Sequence, residues 1–146
     1  MTDFRRIFDD IKDFIEASYP KYLEAFDLDK PFITTEFLDF DRFKNDFCMF
    51  IEIDRVNFAA SPYADDCGKI ARIFCDIFLV FRGGTVAKID ADLKDASSAL
   101  YQMFRNEEID EAENATIREI DFFRYVEGHR AIVASKSTME LEVVYH

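Results

Sequence analysis

Two histidines, three cysteines and a surplus of carboxylates are the residues of this 146-residue chain that could do chemistry. His129 falls beside an expected hairpin turn and His146 is the last residue. Neither has a Cys or carboxylate at metal-ligand spacing, which leaves no metal corner and no oriented general base. Asp65-Asp66-Cys67 can be drawn as a metal corner, but it sits in a Pro/Asp/Gly stretch that reads as a polar loop between strands. Cys48 and Cys75 fall in strand patterns as small apolar residues, and Cys67 falls in the loop. An odd number without a C-x-x-C pair is no disulfide framework, so a reducing compartment is expected. Acids are so abundant that pairs such as Asp39/Asp41 or Glu140/Glu142 are inevitable and carry no specificity as a general acid and base. Gly83-Gly84 is the end of a strand rather than a phosphate cradle, because the other residues of a P-loop or dinucleotide fingerprint are missing. The residues therefore assign no catalytic, metal or cofactor site.

Charge and composition narrow the remaining classes. Thirty acids against eighteen bases give a formal charge of −12, so the chain lacks the cationic field that neutralises phosphates, and ordinary DNA or RNA binding is not expected. The same charge keeps a protein soluble and repels passing polyanions. A hydrophobic content of 49%, with 17 Phe, is enough to build one core at this length, which excludes a disordered chain. The N-terminus enters an amphipathic pattern directly, without a signal-like apolar stretch, and no apolar run is long enough for a membrane span. The expectation is a cytoplasmic, non-membrane protein. Asn114-Ala115-Thr116 fits a glycosylation sequon, which means little in that compartment.

The elements that would position these residues follow from periodicity. Phe4, Ile7, Phe8, Ile11, Phe14 and Ile15 recur at helical spacing, with Asp9, Asp10, Lys12, Asp13 and Glu16 between them. Pro20 lacks an N–H and disfavours helical Tyr19, so the helix is expected to kink or restart there, with Ser18 capping a continuation through Phe26. Residues 28–46 fit neither period and read as a loop with short elements. From Phe47 the period becomes two: Met49, Ile51 and Ile53 alternate with Phe50, Glu52 and Asp54. After the 61–68 loop, Ala71, Ile73, Cys75, Ile77, Leu79 and Phe81 form one face of a second strand ending at Arg82, antiparallel to the first. Thr85 is placed to cap a second helix whose stripe runs from Val86 to Phe104.

Glu107, Glu108, Asp110, Glu111 and Glu113 then form an acidic connector, a pattern that usually means a solvated loop. The chain closes with strands at about 116–127 and 130–145 around a Gly128 turn. In the last strand Ala131, Val133, Met139, Leu141, Val143 and Tyr145 are expected to share one face and Lys136, Thr138, Glu140 and Glu142 a wet one. The order α-β-β-α-β-β predicts a single α+β domain spanning residues 1–146: a four-stranded, largely antiparallel sheet with two main helices on one face.

This order resembles the tail terminator (tail completion) proteins of long-tailed phages and their prophage homologues. The matching stretches are Phe47 to Asp54 (FCMFIEID), Ala71 to Phe81 (ARIFCDIFLVF) and the terminal alternating strand Ser137 to His146 (STMELEVVYH). The likeness spans most of the chain, outside residues 28–45. It implies a structural virion assembly protein without catalytic residues or cofactor, in the phage tail after assembly in the host cytoplasm. It also implies a homo-hexameric ring that ends tail-tube polymerisation, with the tube protein, the head-tail connector and its own copies as partners. Under that resemblance the acids of 107–113, or of the exposed strand faces, would line a lumen that repels DNA. An unpaired sheet edge, or the face carrying Lys136, Glu140 and Glu142, would meet the neighbour. Two other classes fit the residues. One is a DNA-mimicking inhibitor with carboxylates spaced like phosphates; the other is a small ligand-binding or enzymatic α+β domain built around an apolar pocket.

Overall fold

The computed structural model describes residues 3–34, 45–59, 69–109, 114–127 and 130–145. Helix α1 spans Phe4–Glu24, strand β1 Phe32–Thr34, β2 Phe47–Ala59, β3 Lys69–Arg82, helix α2 Val86–Asn106, β4 Asn114–Glu127 and β5 Arg130–Tyr145. The strands form one five-stranded sheet in the order β1-β2-β3-β5-β4. All neighbours are antiparallel except β1, which runs parallel to Cys48, Met49 and Phe50 of β2. The sheet is therefore mixed and has one strand more than the expected four. Three residues are too few to show a period, which is why the 28–46 stretch hides β1.

Capping follows local chemistry. The Asp3 carboxylate accepts from the Arg5 N–H at 3.0 Å, and the Thr85 hydroxyl oxygen accepts from the Lys88 N–H at 3.3 Å. Gly83 makes the turn into α2 with φ 81°, and a Cβ there would lie 2.8 Å from the Asp46 carboxylate. The expected break at Pro20 does not occur: α1 is one helix through to Glu24, with Ser18 inside it. Tyr19 and Leu23 are buried on the same stripe as Ile11 and Ile15, and the Tyr19 hydroxyl donates to the Ala96 carbonyl of α2 at 2.7 Å. That anchoring on both sides of the proline offsets its local cost of about 3 kcal/mol.

Both helices share one core with one face of the sheet. Ile11, Ile15, Leu93, Leu100 and Met103 from the helices join Met49, Ile51, Ile73, Ile77, Leu79, Met139 and Leu141 from the strands. Ser97 donates to Ser135 at 3.1 Å where α2 crosses β5, and small residues there (Ala96, Ala99, Ser137) let helix and strand approach closely. No described helix is long and apolar enough to cross a membrane.

β2 runs on to Ala59, but its alternation is interrupted on the way. A β-bulge between Ile53 and Arg55 inserts Asp54, so the side-chain parity resets and Arg55 pairs with Phe74 while Val56 pairs with Ile73. A second bulge, between Ile117 and Glu119, resets β4 at Arg118. Simple period-two counting fails at both places for the same reason.

Candidate functional site

The sheet face away from the helices gathers most of the chain's strand-borne charge. Along β2 it carries Glu52 and Arg55; along β3 Arg72, Phe74, Asp76 and Phe78; along β5 Lys136, Thr138, Glu140 and Glu142; along β4 Thr116, Glu119, Asp121 and Phe123. The sequence-derived residues Lys136, Glu140 and Glu142 are thus brought together as alternating positions of one strand. They are not a free wet surface. Glu140 is bridged by Arg118 at 3.0 Å and by Arg72 at 3.7 Å, and Arg72 also lies 3.8 Å from Glu142. Lys136 Nζ is 4.0 Å from Asp76 Oδ2.

Asp76 is the unusual member of this face, being only 4% exposed. Burial pushes its pKa up, Lys136 pulls it down, Asp54 pushes it up again, and the hydrogen bond from Thr138 at 3.4 Å pulls it down. Glu52 is raised as well, first by burial and then by Asp76 and Asp54, against Lys136. Glu52, Asp54 and Asp76 can bring one carboxylate oxygen each within 4.8 Å of one another, a donor set that suits a hard cation such as Ca²⁺ or Mg²⁺. The Lys136 ammonium of β5 already supplies countercharge beside that set, through its pair with Asp76 of β3.

The far end of the same face is apolar. Val80, Ile132 and Ala134 form a small buried cluster of their own, with Cys48 and Phe50 buried on neighbouring β2. Cys48 is therefore buried as expected, but on the helix-free side, where its thiol lies 3.4 Å from the Asn45 carbonyl. Cys75 is in the main core, and burial, with Asp76 and Glu52 adding, pushes its thiol up to about 12. An inert thiol follows.

The acidic connector lies apart from this face, after α2. Glu107 caps the helix, its N–H donating to the Met103 carbonyl at 3.0 Å, while its Oε1 meets Lys21 of α1 at 3.3 Å. Glu108 is exposed and Ile109 is buried, so the connector is pinned rather than freely solvated at its start. A groove of about 300 Å³ opens between Tyr101, Phe104, Glu107, Glu108 and the first residues of β4. Asp110, Glu111 and Glu113 lie outside the described residues, as do His129, His146, Asp39, Asp41 and the Asp65-Asp66-Cys67 triplet.

Which strands form the lateral edges of the sheet is what composition and periodicity left open. β4 has β5 on one side and, among the described residues, no strand on the other. Its adjacent residues Phe122 and Phe123 point to opposite faces and are 51% and 46% exposed. At the other margin β1 pairs with β2 at Cys48, Met49 and Phe50 among the described residues. Adjacent Phe residues in a strand otherwise rich in Arg, Glu and Asp were the available signal. No protein-family model matches the chain, and no curated protein matches it in sequence.

Proposed function

We propose that this chain is a structural assembly subunit of the tail-terminator type. Its copies close head to tail into a sixfold ring that seats on the end of a phage tail tube, ends tube polymerisation and offers a surface to the head-tail connector. The observation that carries this reading is the lateral layout of the sheet. Among the described residues its two outer strands are different, β4 and β1, and they run in opposite directions. A sheet with two unlike margins can meet its neighbour through a heterologous contact, the kind that generates closed rings or open filaments. The helix order and the apolar core leave that margin-to-margin layout intact. In this reading the protein is not an enzyme, takes no cofactor, and resides in the virion tail after assembly in the host cytoplasm. Glu107 and Glu108, at the end of α2, are the described part of the acidic run proposed to face the lumen, where negative charge repels DNA.

The ion pairing of the helix-free face counts against the DNA-mimic reading. Glu140 and Glu142 are neutralised by arginines of the same sheet, and Glu52, Asp54 and Asp76 crowd together rather than following a phosphate-like spacing.

The test is tube polymerisation in the presence of the purified chain, followed by electron microscopy. The expected outcome is tubes of limited length with a ring at one end. Tubes of unchanged length with bare ends would overturn the assignment.

A further inference from the structure

At the end of α2 the groove against the start of β4 lies apart from the ion-paired sheet face. Its volume of about 300 Å³ is at the small end for a ligand site and suits one side chain rather than a cofactor. Tyr101, 41% exposed, gives it an accessible aromatic ring, while Phe104, Ile109 and Ile117 are buried and line it as apolar surface.

Its charge is one-sided. Glu108 is exposed and makes no ion pair among the described residues. Glu107 meets Lys21 through Oε1, but its Oε2 is buried without a hydrogen-bond partner, so part of that carboxylate is unanswered at the groove wall. The negative end of the α2 dipole lies at the same place. The sequence joining Ile109 to Asn114, Asp-Glu-Ala-Glu, adds three carboxylates. Against these, Arg105 is the cation among the lining residues.

We infer that this groove seats an arginine side chain from a basic segment of a partner protein. The planar guanidinium stacks on Tyr101 and donates to the Glu108 carboxylate, and its methylene stem lies against the apolar lining. A phosphate- or carboxylate-bearing ligand would meet repulsion from both glutamates instead. The groove lies within one copy and needs no ring, so a failure here leaves the proposed function untouched, and an absent ring leaves the groove untouched.

The probe is a short capped peptide with a single arginine among glycines and serines, titrated into the isotope-labelled, unaltered chain and followed by NMR. Saturable amide shifts confined to residues 101–109 and 114–117 are expected, with a dissociation constant on the order of 1 mM. The same peptide with citrulline keeps the shape, loses the charge and should bind at least about tenfold more weakly. Glu108→Gln and Tyr101→Ala, both at exposed positions, should each weaken binding about threefold or more, and Arg105→Gln should tighten it about threefold. Amide spectra unchanged away from the groove check that the variants are folded. Shifts spread over the acidic strand faces, equal binding of the citrulline peptide, or an affinity unmoved by Glu108→Gln and Tyr101→Ala would overturn the site. Mg²⁺ that displaces the peptide at equal concentration would assign these carboxylates to a metal ion and overturn the arginine reading.

Discussion

On the helix side of the sheet, β3 presents Ile73, Cys75, Ile77 and Leu79, all fully buried and joined in one core with both helices. One residue along in each case, the opposite side presents Phe74, Asp76, Phe78 and Val80, where burial is shared between an ion-pair network and a separate small apolar cluster. The same strand thus carries two kinds of cohesion. The centre of the helix side is held by area removed from water. The other side pairs several of its charges internally: Glu140 with Arg72 and Arg118, Glu142 with Arg72, and Asp76 with Lys136.

The contrast predicts a graded set of effects. Leu79→Ala, on the helix side, should cost about 2–5 kcal/mol, measured by chemical denaturation. Lys136→Met removes the cation beside nearly buried Asp76 and should cost about 1–3 kcal/mol, with the loss growing as pH rises and Asp76 ionises. Tyr19→Phe removes a buried hydrogen bond to Ala96 and should cost about 1 kcal/mol. Phe122→Ser should change monomer stability by no more than about 0.5 kcal/mol, because the ring is exposed, yet weaken assembly. A helix-side cost no larger than the Phe122 effect would remove the distinction between the faces.

A pH series sharpens the same comparison. Asp76 and Glu52 have native pKa values above the ordinary carboxylate range of about 3.9 and 4.3, so the folded state holds their protons more tightly than the unfolded one. Their contribution to stability must therefore fall as pH rises from those unfolded values through the higher native ones. It is recovered as pH drops back. Asp76→Asn should be more stable than wild type at pH 7 and should flatten the thermal midpoint in that window. A variant no more stable than wild type at pH 7 would show that Lys136 and Thr138 outweigh the burial of Asp76.

Much of the fold was legible because long elements carry strong periods. The alternation of Ala71 through Phe81, the stripe of α2 and the Thr85 cap all emerge where their spacing places them. What was hidden obeys local exceptions. Three-residue β1 has no period to read, Asp54 and Arg118 shift parity within otherwise regular strands, and Tyr19 and Leu23 hold a helix together across Pro20 through tertiary burial. The candidate site was legible only in part. Lys136, Glu140 and Glu142 do share a face, but their ion pairing depends on Arg72 and Arg118 from neighbouring strands, a relation set by register rather than by position in the chain.

The measurement closest to the central proposal is the molar mass of the unaltered chain by light scattering after gel filtration. It should run across a wide concentration range at physiological and high salt, with the particles then imaged by negative stain and tube protein added at the highest concentration. The account predicts closed rings of six times the chain mass, alone or seated on tube ends. A strict monomer under every condition, with no attachment to tubes, would contradict it.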